Sequence, residues 1–480
     1  MRLVRGLLLV ALAVMPYAAA RNSPLLYDDR TLLDNHWLAR EAGPRSVFAH
    51  DFWFGTRHEG SDLYRPLTVL SLAWNMRAAP SKQGIRAFSL ALHGVATLVV
   101  WWMLATLLRR RRGNGTLSRN RERDEPAPWP PWIGAALFAV HPLGSEAVLW
   151  AVGRAEILAA IFGMTAFVLF VGIDEEKLGG GRLALSVAAF FAALLSKESA
   201  VAWIVIGSAW AVLRPRWIAL ARGAFYLAAL GAFLVLRGSV VGWGRPAAPF
   251  LDNPLVHADP IQRAVNAVLL QARYVGKMLW PAPLSIDYGF DQIPVVPVLP
   301  WAGPLALALV VAVVAAVVIL RRWGRDTEAL LTAFVPCAFA VTGNLAFPIG
   351  TIFAERLAYL PLVGFCGLAG IAVAAIPKTV WRAVVVVAFL AGGAATAHTR
   401  SGDYRDLATL TEVTADASPR SVKALVNAGR TRLRQGRAAE AIPLFERALA
   451  ISPDYERARQ LLEQARGGPP TMGDEPGPGQ

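Results

Sequence analysis

Long apolar runs separated by short polar turns dominate this chain. A membrane-spanning helix needs about 20 apolar residues. Runs near that length lie at 3–20, 84–108, 131–149, 155–173, 182–195, 199–213, 218–236, 301–320, 327–346, 358–376 and 379–398, which predicts about eleven spans. Residues 262–280 could count as a further span, but they would put Arg321, Arg322 and Arg325 outside, and they carry Arg273 and Lys277 one turn apart on one face. Charges at that spacing are costly at bilayer depth, so this segment is expected to lie at the interface. After about residue 400 the pattern changes. Small residues at Ala424, Gly429, Ala441 and Ala448, a turn at Gln435-Gly436-Arg437 and a stop at Pro453 describe a helix–turn–helix unit, with flanking helices at 404–416 and 456–466.

Composition and charge sharpen this picture. Of 480 residues, 55% are hydrophobic and 17% charged, too apolar for a soluble globule and suited to a polytopic membrane protein. The expected fold is therefore all-α: a membrane helical bundle over 1–400, a small helical domain over 401–467 and a Pro/Gly-rich disordered tail over 468–480. Net charge is +14, and the cations cluster at the ends of apolar runs: Arg109 to Arg112, Arg214, Arg216, Arg321, Arg322 and Arg325. That placement points to topology determinants, with possible use by anionic lipids, and not to a nucleic-acid partner. With Arg2 and Arg5 ahead of the first run, the N-terminus is cytoplasmic and these arginines, with Lys378, fall inside. The first run also reads as a cleavable signal ending in Ala18-Ala19-Ala20, but the many spans that follow favour its retention. Cys337 and Cys366 sit in apolar runs and imply no disulfide framework.

The same alternation gathers Asp28, Asp29, Arg65, His141, Glu146, Arg154, Glu156, Lys197, Glu198, Arg237, Asp252, Arg273, Lys277, Asp287, Glu355 and Arg356 on the far side. Helix-end snorkelling explains any one of them, but not their concentration on the side that the positive-inside bias disfavours. An acidic pair where the membrane meets water is placed to deprotonate an acceptor. Asp28 and Asp29 are adjacent, so their side chains diverge and one serves as base while the other positions; a helix cap is the structural alternative for both. His141 and Glu146 are two potential ligands without a third, so no metal is expected.

Several motifs in order, YDDR (27–30), YRPLTVLSL (64–72), HPLGSEAVLWAVGRAEILAA (141–160), SKESA (196–200), DNPLVHAD (252–259), LSIDYGFDQIP (284–294) and AERLAYLP (354–361), resemble one family. It is the transmembrane and tetratricopeptide-repeat protein O-mannosyltransferases, of the membrane-embedded C-type glycosyltransferase fold. Residues 423–456 resemble one tetratricopeptide repeat, where the family usually carries a long array. The Ala, Arg and Trp usage has a bacterial look, so a bacterial inner membrane and a lipid other than dolichol are expected.

The resemblance implies an inverting transfer of a mannose-like sugar from a polyprenyl-phosphate carrier to a hydroxyl, that of a protein Ser or Thr, on the extracytoplasmic face. The lipid-linked sugar is a substrate, so no cofactor is expected. Asp28, matching the first acidic position of the motif, is favoured over Asp29 as base. Arg356 is the leading candidate for the donor phosphate, with an internal ion pair to Glu355 or to a neighbouring helix as a compatible structural alternative; Lys197, Arg273 and Lys277 are secondary. Arg154, Glu156, Asp252, Asp287 and Glu355 are expected to shape the substrate groove. The repeat unit either docks the acceptor protein or caps the fold. A flippase for lipid-linked sugars and a non-catalytic scaffold for the repeat unit are the competing classes.

Overall fold

The computed structural model describes residues 1–56, 58, 60–110, 129–173, 180–213, 217–244 and 248–467, and among them every regular element is a helix. Arg111, Arg112, Arg214, Arg216, residues 174–179 and the 468–480 tail lie outside the described residues.

Among the described residues, six helices are long and apolar enough to cross a membrane: Arg2–Asn22, Lys82–Arg109, Arg154–Val171, Ala221–Val241, Ala302–Arg322 and Thr379–Asp403. The pair Trp129–Val140 and Pro142–Leu149, bent by 55°, makes a seventh crossing if it is one broken span. The bend falls where Pro142 follows His141, whose Nδ1 accepts from the Leu143 N–H at 3.3 Å. The remaining expected spans are shorter helices: Gly180–Ser196, Glu198–Leu213, Asp326–Ala338 and Pro361–Ala374. Length and composition thus give six or seven crossings where the apolar runs predict about eleven. The shortfall has a local cause. Lys197 and Glu198 interrupt one apolar stretch, and the chain turns after Ala338, two residues beyond Pro336. Irregular backbone next to a bilayer survives where protein surrounds it.

Arg154–Val171 is the central helix: 78% of its apolar window is buried, against 6% in Ala302–Arg322 and in Thr379–Asp403, whose faces are left for lipid. Close helix packing depends on missing side chains. A Cβ on Gly370 would lie 2.5 Å from the Gly134 backbone nitrogen, so Trp129–Val140 and Pro361–Ala374 approach backbone to backbone.

Basic turns share one end of the bundle. Arg5 lies 5.1 Å from the Trp129 ring, the Thr327 hydroxyl donates to the Leu107 carbonyl at 3.3 Å, and Arg321 donates to the Val212 carbonyl at 2.9 Å. The other end carries the short helices Asp28–Leu33, His36–Arg40 and Pro44–Phe48, packed on Leu32, Leu38, Val47, Phe52 and Leu72. Pro260–Leu279, capped by Asp259, is not among the apolar helices that reach spanning length. It buries Asn266, Ala267, Leu270, Tyr274 and Met278 and turns Arg273 outward, as a one-sided helix does.

The C-terminal helices Leu407–Ala417, Val422–Arg434, Ala438–Ile451 and Glu456–Ala465 build an apolar core of their own from Leu425, Ala441, Phe445, Ala448 and Leu461. Gly436, at φ +74°, makes the turn of the central hairpin, and Gly429 leaves room for the Phe445 ring, which a Cβ there would meet at 2.6 Å. This unit is fastened to the loop at 285–292. The Val422 N–H donates to the Phe290 carbonyl at 2.7 Å, the Asp291 N–H donates to the Arg420 carbonyl at 3.1 Å, and Ser418 and Ser285 hydroxyls bond at 2.8 Å.

Candidate active site

Tyr27 sets the geometry of the acidic pair. Its backbone is at φ 46°, a conformation that disfavours a bulky side chain, and its ring stacks on Trp150 at 5.9 Å and 8°. Arg86, buried in the neighbouring helix, ties this approach down by donating to the carbonyls of Pro24, at 2.7 Å, and Leu149. The chain then enters the Asp28–Leu33 helix with its two carboxylates pointing apart.

Asp29 is an anchor. It is 2% exposed, and the N–H groups of Ala151 and Val152 donate to its two oxygens at 2.8 and 2.9 Å. Burial raises its carboxyl to about 6, against the pull of those amides and of Arg86. Asp28 is half-buried, and no hydrogen bond reaches its carboxylate among the described residues. Burial raises its carboxyl above the usual carboxylate range, Arg356, His58 and Lys423 pull it down, and Glu146 pushes it up. Those four groups are therefore the charged neighbours that Asp28 faces.

Arg356 stands in the 3-10 turn Glu355–Ala358. Its backbone N–H donates to Glu146 Oε2 at 2.9 Å, and its guanidinium pairs with the other oxygen of the same carboxylate. The Glu146 side chain is 2% exposed, while that of Arg356 is 40% exposed. Burial works against the guanidinium charge, but Glu146, Glu156 and Asp28 hold the group above its ordinary value. Lys197 pairs with Glu156, and both lie in the field of Arg356. Burial, with Arg65 and Arg356 nearby, lowers Lys197 in spite of its partner. Arg65 itself pairs with Glu198 at 2.9 Å. Asp252 completes the ring of charge: Lys423 Nζ donates to its Oδ1 at 2.6 Å, and Arg356 acts on it as well.

Asp28, Lys197, Glu156 and Asp252, from distant parts of the chain, therefore all lie within electrostatic reach of Arg356 and form one charged cluster. Other residues expected there lie elsewhere. Arg154 is fully buried and donates to the Ser71 carbonyl at 3.1 Å and to Asn75 Oδ1 at 2.8 Å, with its guanidinium 4.6 Å from the Phe88 ring. It locks three helices together and lines no groove. Glu355 is also fully buried and is not the partner of Arg356. It accepts from the Ser285 N–H and the Tyr288 hydroxyl, both at 2.6 Å, and lies 3.6 Å from Arg400. Burial pushes its carboxyl up to about 7. Lys277 bonds the Pro283 carbonyl and lies 5.8 Å from the Tyr288 ring, on the Glu355–Arg400 side, and Arg273 is exposed on the same helix. Asp287 accepts from the Ser421 hydroxyl at 2.7 Å and the Gly289 N–H at 2.8 Å, joining the loop to the C-terminal helices.

His141 has both ring nitrogens engaged: Nδ1 accepts from Leu143, which leaves Nε2 to donate to the Met278 carbonyl at 2.9 Å. Among the described residues, no group of three or more His, Cys, Asp or Glu side chains could hold a metal ion. Sequence reasoning missed Lys423. Its signal is a cation in the first turn of a helix, where the macrodipole disfavours positive charge unless an acid lies opposite.

No family model matches the chain. Among known proteins it is similar to Protein O-mannosyl-transferase TMTC4 of Mus musculus, 24% identical over 484 residues, covering 90% of this chain and 64% of that one. The Homo sapiens TMTC4 is 25% identical over 483 residues, with 91% and 64% covered, and Drosophila melanogaster Protein O-mannosyl-transferase Tmtc1 is 26% identical over 572 residues, with 97% and 61% covered. Over most of its length the chain is similar to proteins named TMTC protein O-mannosyltransferases. It spans less than two thirds of the length of these TMTC relatives. Its long apolar helices, together with its similarity to these proteins, mark it as an integral membrane protein.

Proposed function

We propose that this chain is an inverting glycosyltransferase that moves a mannose-like sugar from a polyprenyl-phosphate carrier to a Ser or Thr hydroxyl of a polypeptide. The observation that supports this reading is the placement of Asp28 and Arg356, from distant parts of the chain, within each other's electrostatic reach. The names of the TMTC relatives supply the sugar and the protein acceptor. The cytoplasmic N-terminus, the extracytoplasmic site and a bacterial inner membrane rest on the charge bias, on composition and on the separation of basic turns from cleft.

Asp28 takes the proton of the acceptor hydroxyl while that oxygen bonds to the anomeric carbon. The bond from that carbon to the phosphate oxygen breaks on the opposite face, which inverts the configuration. The electron pair passes to the lipid phosphate, where Arg356, backed by Lys197, offsets the growing charge. Asp29 positions Asp28 through the Ala151–Val152 amides. The raised carboxyl of Asp28 suits a base that must accept a proton near neutral pH.

The test uses the purified full chain in lipid, a labelled mannosyl polyprenyl phosphate and a Ser/Thr peptide. Asp28→Asn lowers transfer by about 10²–10⁴-fold, the share a positioned general base contributes, with unfolding temperature unchanged. Near-normal transfer by Asp28→Asn overturns the assignment.

A further inference from the structure

Beyond the proposed catalytic pair, the Val422–Arg434 helix carries a row of basic residues that starts beside the charged cluster. Lys423, Arg430 and Arg434 follow one another at seven and four residues, spacings that keep them on one helix face. The row begins at Lys423, one of the cations acting on Asp28. Arg430 comes next and acts on Tyr27, the residue just before Asp28. Arg430 is only 6% exposed, yet among the described residues it forms no ion pair and no hydrogen bond. Its charged surroundings are repulsive, since Arg434 and Arg457 both act against it. Exposure grows along this helix from buried Arg430 to exposed Arg434, with half-buried Arg457 of the Glu456–Ala465 helix acting on Arg430 as well, so these cations lead outward to solution.

A buried guanidinium among like charges, without a carboxylate, is an incomplete arrangement. It lacks an anion. The base marks the acceptor side of the cleft, whereas the donor phosphate belongs to Arg356. We propose that Arg430, with Arg434 and Arg457 along its approach, is a binding subsite for a carboxylate of the acceptor polypeptide, so that acidic segments are the preferred acceptors. This rests on the glycosyltransferase reading. It makes Arg430 a specificity-determining residue that touches the acceptor away from the reacting atoms.

The experiment compares two fluorescein-labelled Ser/Thr peptides, one with glutamates flanking the hydroxyl and one with glutamines, on the full chain in lipid nanodiscs. Binding is read by anisotropy on the Asp28→Asn protein, so that the readout does not depend on turnover, and transfer is read on protein with Asp28 intact. The glutamate peptide binds about tenfold or more tightly than its glutamine twin, as a charge-assisted pair provides, and the preference fades with salt. Arg430→Gln abolishes this preference, raises the KM for the glutamate peptide and leaves kcat and the KM for the lipid donor unchanged; Arg430→Lys keeps part of the preference. Equal binding of the two peptides by the protein with Arg430 intact overturns the proposal. A rise in the donor KM upon Arg430→Gln also overturns it and assigns Arg430 to the lipid phosphate. If Asp28→Asn retains transfer while the peptide preference persists, the catalytic reading fails and the subsite stands.

Discussion

Replacing Arg356 by Met separates its structural work from its chemical work. Arg356 gives Glu146 two bonds, one from the backbone N–H at 2.9 Å and one from the guanidinium, and the Glu146 side chain is 2% exposed. Breaking a fully buried ion pair costs about 3–5 kcal/mol, because the remaining charge is stranded. Here the Arg356 side chain is 40% exposed, so water screens the pair, and the backbone bond survives the substitution. The expected loss of stability is therefore about 2–3 kcal/mol. The chemical loss is separate. Removing one fixed group that stabilises developing charge lowers turnover by about 10²–10³-fold, or about 2.7–4 kcal/mol of barrier. The double variant Glu146→Gln/Arg356→Met has no stranded carboxylate, so its stability returns to within about 1 kcal/mol of the parent while transfer stays low. Thermal unfolding in detergent and the initial rate of labelled-sugar transfer measure the two quantities side by side. Recovery of both in the double variant would show that Arg356 only neutralises Glu146, and the phosphate-binding role would be lost with it.

Two other changes probe the scaffold. Because burial raises the Glu355 carboxyl from 4.5 to about 7, the folded state favours its protonated form; the corresponding stability, about 3 kcal/mol, is full below pH 4.5 and is lost as pH rises through 7. Glu355→Gln removes that slope from a plot of unfolding temperature against pH, and an unchanged slope refutes the assignment. Gly370→Val places a side chain where a Cβ already falls 2.5 Å from the Gly134 nitrogen, forcing apart Trp129–Val140 and Pro361–Ala374 at a cost of about 1–3 kcal/mol or more, read as a lowered unfolding temperature.

How much of this was legible in the sequence depends on range. Helix positions were legible, because apolar runs alternate with breakers along the chain. That Pro260–Leu279 is one-sided and not apolar all round followed from Arg273 and Lys277 sharing a face. Helix lengths were not, since the interruption at Lys197–Glu198 and the turn after Ala338 depend on surrounding protein to shelter their backbone. The divergence of Asp28 and Asp29 could be expected of neighbours, but which one is anchored is decided by the amides of Ala151 and Val152, more than a hundred residues on. Glu355 and Arg356 are adjacent in the chain and answer to different partners, Arg400 and Glu146. Arg154 looked like a groove residue because it opens a helix at the charged end; only the arrangement of Ser71, Asn75 and Phe88 around it shows a core bolt.

The backbone bonds that join Val422 to Phe290 and Asp291 to Arg420 fix the basic row relative to the acidic pair. Seven residues of helix separate Lys423 from Arg430, a rise of about 10 Å, which an extended peptide covers in about three residues. If Arg430 holds an acid of the incoming chain as proposed, that spacing makes a molecular ruler: the sugar would be laid down a set number of positions from the acid, and sliding that acid along the peptide would move the modified hydroxyl in step.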